Sequence, residues 1–340
     1  MTVAIVASKP DVRDRAAWTY ASGLASALEG RLLPRSATVD LLSAASLAEL
    51  LGRVRQTLLF DGLPDTAEPF TLANQMDELF AAALRRVRRA SPSPAVADAF
   101  LLEFEWRAFR CYLRSQVTDR EPVAVAGSET PEAVWERCWN TADVDPGLWS
   151  YAQAARRIRA MLQRERQHDR LVDEVTEAYK ARHAMHVVGR VGSPAVTAWV
   201  TTWVKLRLGL DLLRCSLNNW PHIRIADALD DFGVAKHEIM GLATPERPDW
   251  RTPFRHLGLP AAETIAETEA RPAAVLERLI DDRMTELARG GRRVAFGPEP
   301  VAAFLWGLRV EWRNLKLIVA GVAAGLPREA IAEDIRQSYV

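Results

Sequence analysis

Three carboxylates fall within six residues at Asp281-Asp282-Arg283-Met284-Thr285-Glu286, in a stretch whose apolar spacing is helical. Carboxylates four or five residues apart share a helix face and can converge on a hard cation such as magnesium, which takes oxygen ligands. His183 and His186 stand three apart in a second helical stretch and could turn both rings toward one metal ion, yet no carboxylate or thiolate lies nearby in sequence to complete that site. The expectation is no metal centre and no bound cofactor. The histidines then belong to packing or surface, and the carboxylates at 281–286 to a solvated helix face.

Basic residues form a second set. Arg85, Arg86, Arg88 and Arg89 close a helix, where cations complement the negative end of the macrodipole. Arg156, Arg157, Arg159, Arg164 and Arg166 make a denser run that serves either a grip on an acidic partner or a solvated face. A recurrence is more specific: Arg107 and Arg114 are seven apart, Arg207 and Arg214 are seven apart, and Arg313 is followed by Lys316. Seven residues return to one side of a helix, so each set draws a polar line beside an apolar seam. That line is either a surface where units meet or hold one partner, or arginine stems lying over apolar neighbours. Common catalytic devices are missing: there is no Gly-Lys dipeptide for a phosphate loop, and no G-x-G-x-x-G, G-x-S-x-G or H-E-x-x-H. Their absence removes the commonest enzyme classes and does not by itself exclude an enzyme.

The elements that must carry these residues repeat. One stretch returns three times without a gap, at 94–113, 194–213 and 300–319, each copy opening on a proline and carrying an arginine thirteen positions later at Arg107, Arg207 and Arg313. Positions 5, 12 and 19 after the proline are apolar in every copy: Ala99, Trp106 and Leu113; Trp199, Leu206 and Leu213; Leu305, Trp312 and Val319. A heptad step on one face marks a helix packed lengthwise on another, and Pro94, Pro194 and Pro300 suit a first turn, where the missing N–H costs nothing. Each copy follows another long helical segment, at 70–89, 169–188 and 272–288, across a short break rich in Ser, Gly and Pro. The pairs should fold back as antiparallel hairpins. Shorter amphipathic pieces at 36–42, 46–54, 131–139, 235–242 and 250–257 precede them. No alternating strand pattern appears, so the fold class expected is all-α.

The offsets between copies, 100 and 106 residues, exceed the roughly 20 to 50 residues of common solenoid units. Three duplicated domains are expected instead, at 1–120, 121–218 and 219–340, a size each that the 340-residue length allows. With 49% hydrophobic and 26% charged residues the chain has ample material for cores. Lys plus Arg equals Asp plus Glu at 44 each, so no global field draws it to nucleic acid or an anionic bilayer. Cys111, Cys138 and Cys215 are an odd, unpatterned trio, expected as free thiols in a reducing compartment. The apolar runs at 3–7 and 317–324 are too short for a signal peptide core or a membrane span, so a soluble chain is expected.

The 281–286 helix resembles the magnesium- and diphosphate-binding motif of class I terpene synthases, and an all-α chain with 11 Trp keeps that alternative, though their second metal-binding set does not follow downstream. A general helical scaffold is the other alternative. A closer likeness lies at the last repeat. Glu311-Trp312-Arg313-Asn314-Leu315-Lys316-Leu317-Ile318, with Gly321, Gly325-Leu326-Pro327 and Ile331, resembles the C-terminal signature of the C (or d) subunit of vacuolar/archaeal-type rotary ATPases. Tyr20-Ala21, Ala27-Leu28, Leu32-Leu33, Leu41-Leu42 and the piece Leu47 to Leu58 are similar to that family's opening segment.

The resemblance implies three similar helical domains in a pseudo-threefold, funnel-like arrangement, without catalysis. It implies a peripheral subunit on the cytoplasmic side of the membrane, coupling the central shaft (D- and F-type subunits) to the rotor-ring proteolipid, in a machine that pumps protons or sodium or makes ATP. Glu105, Arg107, Arg114, Lys205, Arg207, Arg214, Glu311, Arg313 and Lys316 are the candidate shaft or ring interface.

Overall fold

A computed structural model describes residues 12–64, 68–118, 121–141, 143–163, 168–220, 222–243, 249–266 and 269–340. Among them every regular element is an α-helix or a 3-10 turn, and no helix is long and apolar enough to cross a membrane. The run at 3–7 and the pair Arg164 and Arg166 lie outside the described residues. Six long helices dominate: α1 (Pro69–Ala90), α2 (Ala95–Val117), α3 (His168–Gly189), α4 (Pro194–Leu217), α5 (Pro272–Arg289) and α6 (Pro298–Ala323). They sit where the repeat places them. Pro94 stands just ahead of α2, Pro194 opens α4 and Pro300 lies in the first turn of α6, and all nine heptad positions of the three copies are buried.

Shorter helices match the expected pieces at Arg35–Asp40, Leu47–Val54, Glu132–Asn140, Lys236–Ile239 and Arg251–His256. Five other α-helices among the described residues, Val12–Ala17, Thr19–Glu29, Trp149–Met161, Ile223–Asp231 and Arg328–Glu333, are not among those pieces. Thr19–Glu29 buries only Ala21, Ser22 and Ala25, so no bulky apolar stripe advertises it. Trp149–Met161 buries four small or aromatic residues and Ile158 beneath a run of arginines that dominates the local pattern.

The chain divides into two compact units, one of Met1–Leu101, Val188–Trp199 and Arg278–Val340, the other of Leu102–Val187 and Val200–Glu277. In the first, α6 is buried along most of its length and packs against Thr19–Glu29, Leu47–Val54 and α1. Trp306 Nε1 donates to Thr285 Oγ1 at 2.9 Å and Arg313 pairs with Asp281 at 2.6 Å, so later residues of α6 meet earlier residues of α5, the antiparallel hairpin expected. Trp312 stacks on Phe80 with centroids 4.7 Å apart, and Trp199 meets Trp306 edge-on at 5.3 Å.

Gly307 is one place where α6 lets other chain segments come close. A Cβ there would lie 2.7 Å from Tyr339 Cδ1 and 2.9 Å from Leu32 Cδ1, both anchored side chains. We expect Gly307→Ala to destabilise the protein by about 1–3 kcal/mol through overpacking, read as a lower urea midpoint at unchanged slope; a midpoint equal to wild type would contradict this packing.

The second unit is built on an aromatic cluster. Trp106 packs on Tyr151 with centroids 4.5 Å apart, and Phe109 on Trp135 at 5.1 Å. His183 belongs to that cluster, accepting from Trp106 Nε1 at 3.2 Å, which makes it a packing histidine; His186 is exposed. Cys138 and Cys215 are buried thiols, pushed up to about 11 and about 12 by burial. Burial of that kind makes a thiol inert.

Candidate functional site

The first helix of each pair carries an acid at a spacing of 100 residues: Asp77 on α1, Glu177 on α3 and Glu277 on α5. Each takes a cation from a helix outside its own pair, and Glu177 pairs in addition with Lys180 of its own helix. Lys316 of α6 pairs with Asp77, and Trp312 Nε1 donates to the same carboxylate at 3.1 Å. Arg110 of α2 pairs with Glu177 while Arg114 holds both oxygens of Asp173 at 2.7 Å. Arg207 and Arg214 of α4 reach Glu277 at 2.9 and 2.5 Å. The Asp77 link lies in the first unit and the other two in the second. One chemistry, a cation from the second helix of a pair on an acid from the first helix of another, therefore occurs three times.

Burial sets the strength of these contacts. Asp77 is 3% exposed, and a lone buried carboxylate costs several kcal/mol unless it is paired. Burial by itself would raise the Glu177 carboxyl, but Lys180 and Arg110 beside it outweigh that and hold it well below the usual range. Asp211, half-buried beside Glu177, is pushed the other way by its loss of water and by the Glu177 charge. Arg224 adds a contact to buried Glu174, whose other oxygen accepts the Arg224 N–H at 2.7 Å.

The sequence-derived candidates fall into four groups. Arg114, Arg207, Arg214, Arg313 and Lys316 all make ion pairs between helices. Glu105 and Arg107 hold the loop after α2: Glu105 accepts from Ser128 Oγ at 2.7 Å, and Arg107 donates to the Ala126 carbonyl at 2.9 Å and lies over the Phe104 ring. Glu311 is 6% exposed and accepts the Leu33 N–H at 2.7 Å, its other oxygen buried without a hydrogen-bond partner. Burial pushes its carboxyl up to about 7 against the opposing Leu33 hydrogen bond. Lys205 is half-buried.

The 281–286 carboxylates are not a solvated face, and that expectation is corrected. Asp281 is fully buried and faces three guanidinium groups: Arg313 at 2.6 Å, Arg336 at 3.2 Å and Arg309 at 3.7 Å. Its neighbour Asp282 accepts the Gln337 N–H at 2.6 Å, and Glu286 pairs with Arg283 at the surface. The three carboxylates thus serve different partners, and among the described residues no group of three or more His, Cys, Asp or Glu could hold a metal ion. Neither Asp77 nor Arg336 is among the residues singled out from sequence. The 100-residue recurrence of an acid in the first helix is the available signal for Asp77; nothing local points to Arg336.

Residues 251–334, which hold the Asp281 cluster except Arg336 and the whole Glu311-to-Lys316 stretch, match the protein family described as ATP synthase (C/AC39) subunit. The C subunit of the V-type sodium ATPase of Enterococcus hirae is 38% identical over 64 residues, a stretch that covers 19% of this chain and 20% of that protein. The match thus spans about a fifth of that relative's length.

Proposed function

We propose, from the ATP synthase (C/AC39) subunit family that residues 251–334 match, that this chain is a noncatalytic rotor subunit of a V/A-type ATPase, coupling the central shaft to the membrane rotor ring. The family match carries the reading. Three further observations support it. Three matched helix pairs support a chain of three related domains, 1–120, 121–218 and 219–340, in pseudo-threefold order. The cross-pair bonds run α2 to α3, α4 to α5 and α6 to α1, the order such a closed arrangement requires. Close helix packing and buried ion pairs suit a body that must transmit torque with little internal play.

The partners proposed are shaft subunits of the D and F type on one side and the ring proteolipid on the other, with this chain peripheral on the cytoplasmic side. Among the nine candidates, Arg114 and Arg214 retain the most exposure in their ion pairs, 43% and 35%, and so are placed to serve a partner as well as the fold. Membranes from cells lacking this chain are expected to keep ATP hydrolysis in the detached catalytic head and to lose ATP-driven ion uptake. Adding the purified chain should restore uptake. Full coupling in its absence, or turnover of a prenyl diphosphate by the purified protein, would overturn the proposal.

A further inference from the structure

In the second unit, the loop after α2 forms part of the wall of a cavity of about 260 Å³. Ala108 and Tyr112 of α2, the irregular segment 122–125, Thr130, and Glu132 and Trp135 of the helix Glu132–Asn140 line it. The loop is pinned by the Glu105 and Arg107 contacts described above and by Gly127. That residue has a φ of 89°, and a Cβ there would lie 2.5 Å from Phe104 Cδ1, so only glycine lets the loop sit this close to α2. A pinned loop gives the cavity a fixed wall before any ligand arrives, which lowers the cost of binding one.

Tyr112 is 4% exposed, yet its hydroxyl has no hydrogen-bond partner among the described residues. A buried hydroxyl left in that state costs free energy. Burial, together with the charges of Glu136 and Glu132, pushes this hydroxyl up to about 12, so it stays a neutral phenol able to give or take a hydrogen bond. Glu132 is exposed and has no ion pair among the described residues, and the lining holds that carboxylate but no Lys, Arg or His. Glu132 opens its helix, where an acid complements the macrodipole. That role accounts for the carboxylate and leaves the Tyr112 hydroxyl without a reason.

We propose that this cavity binds a protonated primary amine carried on an apolar body, either a free amine or the lysine side chain of another polypeptide. The ammonium donates to the Glu132 carboxylate and to the Tyr112 hydroxyl oxygen, and its charge is favoured by the electron-rich faces of the tyrosine and tryptophan rings. Its apolar part lies along Ala108 and segment 122–125. An anion would meet the Glu132 charge with no cation in the lining to offset it, and a neutral alcohol would leave that charge unpaired. The volume falls just below the roughly 300–1,000 Å³ usual for ligand cavities, which suits one short chain or one ring. The site lies outside residues 251–334 and goes beyond the rotor-subunit reading without resting on it.

The test is calorimetric titration of the full chain at neutral pH with phenethylamine, against phenethyl alcohol and phenylacetate as its neutral and anionic counterparts. Wild type should bind the amine about tenfold or more tightly than the alcohol, and phenylacetate more weakly still. Glu132→Gln should weaken the amine about tenfold or more and leave the alcohol unchanged, and Tyr112→Phe should weaken the amine about threefold or more. Ala108→Leu fills the cavity, keeps every polar group and should abolish binding of both. If Tyr112→Phe misfolds by circular dichroism, Glu132→Gln and Ala108→Leu keep the test. Spermidine and a blocked tripeptide with a central lysine tell the two sources apart: the one bound more tightly, through Glu132, names the source. Equal affinity for amine and alcohol, amine binding unchanged by Glu132→Gln or Ala108→Leu, or no Glu132-dependent binding of any of the three amines overturns the proposal.

Discussion

Asp281→Asn is expected to cost about 3–5 kcal/mol of folding stability, because it leaves the guanidinium groups of buried Arg309 and half-buried Arg313 and Arg336 without the carboxylate they face. The pair chemistry, rather than the volume, is being removed, since asparagine fills nearly the same space. Glu286→Gln, five residues along the same helix but pairing with Arg283 at a 52% exposed side chain, should change stability by less than about 0.5 kcal/mol. Urea denaturation of both variants gives the contrast directly. A loss below about 1 kcal/mol for Asp281→Asn would mean that the three arginines find other partners, and the cluster would then not be what ties the C-terminal tail to α5 and α6.

The second large effect is pH-dependent and has the opposite sign. The Glu311 carboxyl is raised by burial from its ordinary 4.5 to about 7, so the folded protein holds this proton more tightly than the unfolded chain does. Stability from this group is therefore greatest below about pH 4.5 and declines as pH rises through 7, beyond which the cost of the buried charge reaches about 3 kcal/mol. Glu311→Gln removes the charge and keeps an acceptor for the Leu33 N–H. Expected behaviour is near-equality with wild type at pH 4 and a gain of about 3 kcal/mol at pH 8. Subtracting the two stability profiles isolates Glu311 from raised Asp282 and from other titrating groups. A difference that stays constant from pH 5 to pH 8 would show that Glu311 is already ionised in the folded protein or lies open to water.

The helices are legible in sequence because burial leaves a periodic trace. Ala99, Trp106 and Leu113, and their counterparts in the other copies, are buried in the order that seven-residue spacing predicts. His183 is structural, as expected from sequence, since a ring nitrogen with no acid nearby is more readily satisfied by an indole N–H than by a metal. Charge carries no such trace. Whether Asp281 faces water or three arginines depends on where residues 309, 313 and 336 arrive in space, and helical spacing alone does not report it. The same holds for Asp77 and Lys316, which are 239 positions apart. The recurrent arginines stand out in the sequence, whereas their acids emerge as a recurrence only when the first helices of the pairs are compared.

Contacts of the first unit join residues near both ends of the chain: Leu33 to Glu311, Ser22 to Gly297, Asp77 to Trp312. A ribosome delivers residue 33 long before residue 311, so the nascent N-terminal helices must wait with their apolar faces unpartnered while the second unit, which is finished by residue 277, is already free to collapse. Translation order and folding order are thus reversed for this part of the molecule, and its early helices are natural clients for whatever shields hydrophobic surface during synthesis.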